Sequence, residues 1–447
     1  MSKTIISVSG LRGIIGESLD PIQAMNYAIA FVSTLDNNRP IVISRDGRAT
    51  GVMLASAIES AISAIGFDVL NADVAATPTT GVLVRHHQAS GGIQISASHN
   101  PSPYNGMKLF GASGRVITAG EGELVLKQYH DLKPAWVTHE SIGSIAIAED
   151  TTSAHLEKVL ATVNVEKIKS RNYKVVLDSN RGAGSRMGRV LLECLGCEFE
   201  ILGEVPDGQF EHTPEPTAEN LASTTAKAID FGADVLFCQD PDADRLAIID
   251  EQGNYIGEEY TLAITANQRL ANSKGPVVVN CATSRMTADL AAKHGCEFVI
   301  SAVGEANVTQ KMIELDAVYG GEGNGGPIDP KVGYVRDSFV AMAQVLDAMA
   351  SRDMSVSQLA AEIPRYEICK TKISLDRDNV PALMDQLEAQ FSEAKANRMD
   401  GLRLDWEDRW LLVRPSNTEP IVRAIAEAKT AAMAKELCDA AGRLAGV

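Results

Sequence analysis

The sequence predicts an α/β protein: three related α/β domains followed by a smaller α+β domain. Three observations predict it. The chain has 447 residues, more than the ~250–300 at which a single hydrophobic core stops growing. One pattern recurs three times: a short apolar run, a turn, an amphipathic stretch, a glycine, and a second apolar run. Beyond residue 365 that pattern stops.

In the first copy, Ile41-Val42-Ile43-Ser44 reads as a strand and Arg45-Asp46-Gly47-Arg48 as a turn. Val52 to Ile65 reads as a helix stopped by Gly66, and Phe67-Asp68-Val69-Leu70 as the next strand. The second copy opens on Val175-Val176-Leu177-Asp178. It turns at Gly182 and Gly184, runs helically to Leu195, stops at Gly196 and resumes over Glu198 to Leu202. The third has Val277-Val278-Val279-Asn280, a helix from Met286 to His294, Gly295 as stop, and Phe298-Val299-Ile300. Short apolar runs separated by helices of 3.6 period indicate parallel βαβ units buried on both faces. In the tail, Ile368 to Leu375 and Trp410 to Val413 read as strands, and Val380 to Phe391 as a helix. Ala424 to Leu444 reads as a long Ala-rich helix. The polar run Glu149 to Ser153 marks a boundary near 150, with others near 255 and 365. The expected domains are 1–150, 151–254, 255–365 and 366–447.

Composition narrows the function. A 45% hydrophobic, 22% charged chain is that of an ordinary globular protein. No apolar run nears the ~18–20 residues of a membrane helix, and the N-terminus lacks a signal peptide's apolar core. A cytoplasmic protein without a membrane partner is expected. Seven cysteines, an odd number in mostly apolar surroundings, fit reduced thiols rather than a disulfide framework. Cys194 and Cys197 form a Cys-x-x-Cys pair at the end of a helix, whereas a redox pair needs a helix N-terminus. A net charge of −17 argues against a nucleic-acid partner. An anionic small substrate then requires basic residues gathered at one site.

Four runs carry chemistry. Ser96-Ala97-Ser98-His99-Asn100-Pro101 follows the glycine-led strand Gly91 to Ile95, and ligands of open α/β sheets collect beyond strand C-termini. The run offers a hydroxyl nucleophile beside an imidazole; read alone, it is equally a Ser or Asx turn closed by proline. Asp240-Pro241-Asp242-Ala243-Asp244-Arg245 lies between two apolar strands. Its carboxylates at alternate positions can converge on a hard cation. They also repel one another by ~1 kcal/mol per pair in a water-like dielectric, which weighs against a merely solvated loop. An EF-hand loop ending at Glu251 is the competing metal reading. It fails because Arg245 stands at the required glycine and strands flank the loop.

Gly320-Gly321-Glu322-Gly323-Asn324-Gly325-Gly326, at the end of a strand over Ala317-Val318-Tyr319, permits close backbone approach. Glu322 and Asn324 suit neighbouring sugar hydroxyls; alone, the run is a flexible turn. Arg414-Pro415-Ser416-Asn417-Thr418-Glu419-Pro420 supplies a guanidinium, hydroxyls, an amide and loop N–H groups, the donors a phosphate needs, with Arg423 near. Arg12 and Lys108 are basic residues in glycine contexts and read, alone, as solvated.

These runs (ISASHNP, DPDADR, GEGNGG and RPSNTEP) resemble, in this order and across the whole chain, the motifs of the α-D-phosphohexomutase superfamily. The resemblance implies four domains around a central cleft, the fourth acting as a lid. It implies that Ser98 is the phosphoserine and that Asp240, Asp242 and Asp244 hold Mg²⁺ together with the Ser98 phosphate. Glu322 and Asn324 are implied to read sugar hydroxyls. Arg414, Ser416, Asn417 and Thr418, with Arg423, are implied to grip the phosphate that is not transferred. Arg12, His99, Lys108 and Arg245 are implied to surround the reacting group, with Lys108 the first choice of general acid/base and His99 the second.

The implied reaction moves phosphate between the 6 and 1 positions of a hexose phosphate through a hexose 1,6-bisphosphate, which is intermediate and activator. The opening Ser7-Val8-Ser9-Gly10-Leu11-Arg12-Gly13 lacks the family's frequent Phe-Gly-Thr start. Asn417 stands where many members have Gly. GEGNGG, with Ala306 and Asn307, looks like the archaeal-type phosphoglucosamine mutases. Conversion of glucosamine 6-phosphate to glucosamine 1-phosphate is therefore the first expectation, and phosphomannomutase/phosphoglucomutase activity the alternative. A metal-dependent sugar phosphatase is the alternative from another class. The partner is a small sugar phosphate, and the protein is expected as monomer or homodimer.

Overall fold

The computed structural model describes residues 5–7, 10–36, 39–415 and 421–446. Among them, one four-strand arrangement occurs three times. In the first, Val69–Val74, Ile41–Arg45, Gly91–Ile95 and Tyr104–Gly111 lie side by side in that order, within a seven-stranded sheet. In the second the order is Glu198–Leu202, Lys174–Asp178, Val235–Gln239, Leu246–Asp250. In the third it is Phe298–Ser301, Val277–Asn280, Tyr319–Glu322, Gly326–Ile328. Each unit thus places its second strand at one side, then its first, third and fourth.

The first three strands of every unit are parallel, as the apolar runs predict. The fourth is antiparallel to the third in all three. A short hairpin can join only antiparallel neighbours, whereas a parallel neighbour needs a long crossover. The third-to-fourth connection is therefore a compact loop in each unit, and these loops hold three of the four motifs.

The first strand of each unit, central in its sheet, carries an unbroken apolar run because helices cover both faces. Ile41, Val42 and Ile43, Val175 to Leu177, and Val277 to Val279 are buried. Helix Thr50–Ala64 turns Leu54, Ile58, Ala61 and Ile62 inward. The glycines that end the three repeat helices, Gly66, Gly196 and Gly295, have φ of +91°, +68° and +66°, a region open to glycine and costly for other residues. Helix Ser338–Arg352 is buried along almost its whole length and joins the cores of the second and third units. Asp337 caps it by accepting from the Phe339 and Val340 N–H groups.

The tail is a five-stranded antiparallel sheet in the order Glu367–Ser374, Ile421–Ala428, Trp410–Pro415, Leu402–Asp405, Lys395–Asn397, with helices Val380–Gln390 and Ala431–Ala445. Two expectations need correction. The single helix from Ala424 to Leu444 is a strand, Ile421–Ala428, and then a helix capped by Thr430. Val422, Ala424 and Ala426 alternate inward between two paired strands. Burial between neighbours outweighs the helix preference of alanine. The strand expected over Ala317 to Tyr319 instead runs Tyr319–Glu322 and includes Gly320 and Gly321. A Cβ at Gly320 would sit 2.4 Å from Met312 Sδ and 2.6 Å from Val278 O, so glycine here permits close packing rather than a turn. Among the described residues no helix is long and apolar enough to cross a membrane.

Candidate active site

The third-to-fourth loops of the first two units meet. Ser98 Oγ donates to Asp240 Oδ2 at 2.7 Å. Both residues are buried. Sequence spacing alone cannot bring these groups together; the shared position in two copies of one unit does.

The serine loop is held from beneath. Ser98 has φ +48°, a sparsely populated region for an L-residue that persists only where surroundings impose it. Its N–H donates to Ser96 Oγ at 2.9 Å, and Ser96 Oγ donates to Asp46 Oδ2 at 2.7 Å. The buried Arg48 pairs with the same Asp46 oxygen at 3.0 Å. Its guanidinium donates to the carbonyls of Ser98 (2.7 Å), Asn100 (2.7 Å) and Pro101 (2.9 Å). Phe210 from the second unit covers that guanidinium, 4.9 Å from the ring centre. Asn100 Oδ1 accepts from Arg12 Nη1 at 3.0 Å.

Asp240, Asp242 and Asp244 each offer a carboxylate oxygen, and these oxygens lie within 4.8 Å of one another. Burial, Asp242 and Asp244 push the Asp240 carboxyl well above its ordinary range. Asp242 and Asp244 are held low, although burial opposes this. For Asp242, Lys108 and the Thr77 hydroxyl outweigh burial; for Asp244, Arg336 does so first, helped by Lys108. Lys108 Nζ is 2.8 Å from Oδ2 of both Asp242 and Asp244. Thr77 Oγ1 donates to Asp242 Oδ2 at 2.6 Å. The second oxygens, Asp242 Oδ1 and Asp244 Oδ1, are buried with no hydrogen-bond partner. Buried carboxylate oxygens left unpaired are costly, and an oxygen-ligated divalent cation is the partner that suits them. The donor set therefore fits a hard metal ion.

Cations ring the triad. Burial opposes the Lys108 ammonium, but Asp242 and Asp244 outweigh it and raise its pKa above the ordinary lysine value. The Arg245 guanidinium lies 4.0 Å from Asp240 and 3.8 Å from Asp244. His99 Nδ1 is 3.4 Å from Ser98 Oγ. Burial, then Arg245 and Arg12, depress its imidazole to about 3, so it is neutral at physiological pH.

Glu322 ends the third strand of the third unit. Its Oε1 accepts from Asn280 Nδ2 (2.7 Å) and the Gly304 N–H (3.1 Å), and its Oε2 from Arg336 Nη1 (2.7 Å). Arg336 also reaches Glu305 Oε2 at 2.8 Å and Asp244 Oδ2 at 2.6 Å. One guanidinium thus ties the glycine-rich loop to the aspartate loop. Asn324, two residues further along that loop, has a buried Oδ1 without a hydrogen-bond partner.

In the fourth unit, Arg414 pairs with Asp400, Nε to Oδ1 and Nη2 to Oδ2, both at 3.2 Å. Arg423 is exposed and lies directly across from Arg414 on the neighbouring strand. Ser416, Asn417 and Thr418 lie outside the described residues. The structure therefore brings Ser98, His99, Lys108, Arg12, the aspartates and Arg245 together, and links Glu322 to them through Arg336. Asp46, Arg48, Thr77, Glu305, Arg336 and Asp400 were not singled out by the sequence reading. Of these, only Asp46 and Arg48 carried a local signal, as charged residues in a turn just beyond a strand.

One α/β unit used three times and closed by a distinct α+β unit defines the structural class of the multidomain sugar-phosphate mutases. Four family descriptions match in order. Phosphoglucomutase/phosphomannomutase alpha/beta/alpha domain I matches residues 3–134, domain II 153–253 and domain III 257–366, and the C-terminal domain matches 378–443. The chain belongs to the α-D-phosphohexomutase superfamily, a family of isomerases that are intramolecular phosphotransferases.

Among its relatives are a phosphoglucomutase/phosphomannomutase of Thermococcus kodakarensis, 35% identical over 96% of this chain and 95% of that one, and a probable phosphoglucosamine mutase of Methanosarcina barkeri, 33% identical over 94% of each. A solved phosphoglucomutase/phosphomannomutase family protein from Burkholderia thailandensis superposes with a TM-score of 0.85 at 27% identity, covering 98% of this chain and 97% of that one. A putative phosphomannomutase from Thermus thermophilus shares the fold, with a TM-score of 0.85 at 22% identity over the whole of both chains.

Proposed function

We propose that this enzyme moves phosphate between the 6 and 1 positions of a hexose phosphate through phospho-Ser98 and a hexose 1,6-bisphosphate, with glucosamine phosphate as its preferred substrate. The observation that carries the reading is the 2.7 Å contact from Ser98 Oγ to Asp240, beside two unpartnered aspartate oxygens. A nucleophilic hydroxyl and a site for a hard cation share one buried spot.

In this reading Asp240, Asp242 and Asp244 hold Mg²⁺, which neutralises charge on the transferring phosphoryl group. Arg48 and Asp46 hold the Ser98 loop so that Oγ keeps its aim. Lys108, an ammonium fixed between Asp242 and Asp244, is the general acid/base: it gives a proton to the leaving oxygen and takes back the one that the attacking hydroxyl releases. His99, neutral at physiological pH, stands 3.4 Å from Ser98 Oγ as the second choice for that role. Arg12 and Arg245 offset the negative charge of the phosphoryl oxygens. Catalysis of this kind rests on positioning and electrostatics. Glu322 and Asn324 read the sugar hydroxyls, and Arg414, with Ser416, Asn417, Thr418 and Arg423, holds the phosphate that stays. Closure of the fourth unit would keep water from phospho-Ser98. A cytoplasmic location goes with this reading.

The M. barkeri relative supports glucosamine phosphate, and the T. kodakarensis relative favours mannose or glucose phosphate as the second reading. Initial rates on glucosamine, mannose and glucose 6-phosphates, primed with glucose 1,6-bisphosphate, decide between them. The highest kcat/KM is expected on glucosamine 6-phosphate. A higher value on either other sugar overturns that preference. Steady release of inorganic phosphate in place of isomer would instead establish a phosphatase.

A further inference from the structure

We propose that Asp400 is a positioning residue that fixes the Arg414 guanidinium for the non-transferred phosphate and ties it to the third unit. The inference rests on the phosphate role of Arg414 proposed above.

Asp400 takes the side edge of Arg414, Nε at 3.2 Å and Nη2 at 3.2 Å, leaving Nη1 on the opposite edge. A guanidinium is a rigid planar fork, so gripping one edge sets the direction of the other. An arginine tethered only by its flexible stem would lose side-chain freedom when it binds a phosphate. One already held has less to lose. Arg414 and Asp400 are 18% and 17% exposed at their side chains, open enough to meet a ligand yet sheltered enough for the pair to persist.

Asp400 faces a second way. Its Oδ2 accepts from the Val303 N–H of the third unit at 3.0 Å. Val303 precedes Gly304, whose N–H donates to Glu322 Oε1 at 3.1 Å. A chain of close contacts therefore runs from Arg414 through Asp400 and the Val303-Gly304 backbone to Glu322. It joins the proposed phosphate grip to the proposed sugar reader across the boundary between the third and fourth units. Neighbouring contacts dock the two units on each other. Arg403 donates to the Cys281 carbonyl, Glu427 Oε1 accepts from the Arg285 N–H at 3.0 Å, and Cys281 packs with Trp410 and Leu412.

The test is a binding cycle in the Ser98→Ala background, which blocks transfer. Glucosamine, mannose and glucose 6-phosphates are titrated calorimetrically into Asp400→Ala, Arg414→Ala and the double variant, with melting temperatures in parallel. Asp400→Ala is expected to weaken binding roughly tenfold and Arg414→Ala more. The double variant is expected to bind like Arg414→Ala alone, because Asp400 acts through that guanidinium. If Asp400→Ala does not fold, Asp400→Asn replaces it in the same cycle, with an effect in the same direction. Unchanged binding in the Asp400 variant overturns the proposal, as does a double variant weaker than Arg414→Ala by the full Asp400 factor. Unchanged binding in Arg414→Ala overturns the phosphate assignment of Arg414 instead.

Discussion

The serine loop and the aspartate loop occupy the same place in two copies of one four-stranded unit, yet they are electrostatic opposites. The first, between Gly91–Ile95 and Tyr104–Gly111, is organised around a buried arginine that gathers three carbonyls. The second, between Val235–Gln239 and Leu246–Asp250, is organised around three buried carboxylates whose closest counter-charges come from elsewhere, Lys108 in the first unit and Arg336 in the third, with the loop's own Arg245 farther off. The serine loop is braced largely by its own unit, and the aspartate loop by its neighbours. Repetition supplies the scaffold, and assembly of the units supplies the chemistry.

The largest effects should come from the two loop centres. Ser98→Ala should lower turnover by on the order of 10⁴-fold or more, as loss of a nucleophile does, measured as isomer formation primed with bisphosphate. Dialysis against EDTA should bring turnover to background, and excess Mg²⁺ should restore it. Activity that survives chelation would break the contrast, because the aspartate loop would then need no cation.

Next is the outside support of the aspartate loop. Arg336→Met leaves Asp244, Glu305 and Glu322 facing one another without their shared cation. Breaking buried pairs in this way costs about 3–5 kcal/mol, readable as a lower urea midpoint. Arg336→Lys should recover only part, since an ammonium cannot bridge three carboxylates as the fork does. Arg48→Met probes the inside support of the serine loop. It should lower kcat by roughly tenfold to a hundredfold with little change in KM. An equal loss in KM would show that the loop binds substrate rather than aims Ser98.

These supports explain what the sequence made legible. The strands over Ile41 to Ser44, Val175 to Asp178 and Val277 to Asn280 were readable because burial on both faces leaves an unbroken apolar run. Ser98 and the aspartates were readable because their chemistry is written in consecutive residues. Arg336 was not: its partners lie at positions 244, 305 and 322, and an arginine before a helix carries no local sign of that. Asp400 was missed for the same reason. The strand Ile421–Ala428 was missed because alanine served there as a small residue between paired strands, and the same composition also suits a helix.

A further effect, read in pH rather than at the site, concerns two glutamates that begin helix Glu258–Asn272. Burial is the main cause that raises Glu258 to about 7 and Glu259 to about 8. In the unfolded chain both ionise near the ordinary value of 4.5. The folded protein therefore binds more protons between these limits, and stability should fall as pH rises from about 5 to 8. Glu259→Gln should flatten the melting temperature over that range; an unaltered slope would assign the dependence to other groups.

The most direct test of the central claim follows the phosphoryl group itself. The protein is incubated with glucose 1,6-bisphosphate labelled in its phosphates, digested and mapped by mass spectrometry. The account predicts one phosphoryl group on the peptide carrying Ser98, removed when a hexose monophosphate is added. Label on any other residue, or full turnover with Ser98 unlabelled, would contradict it.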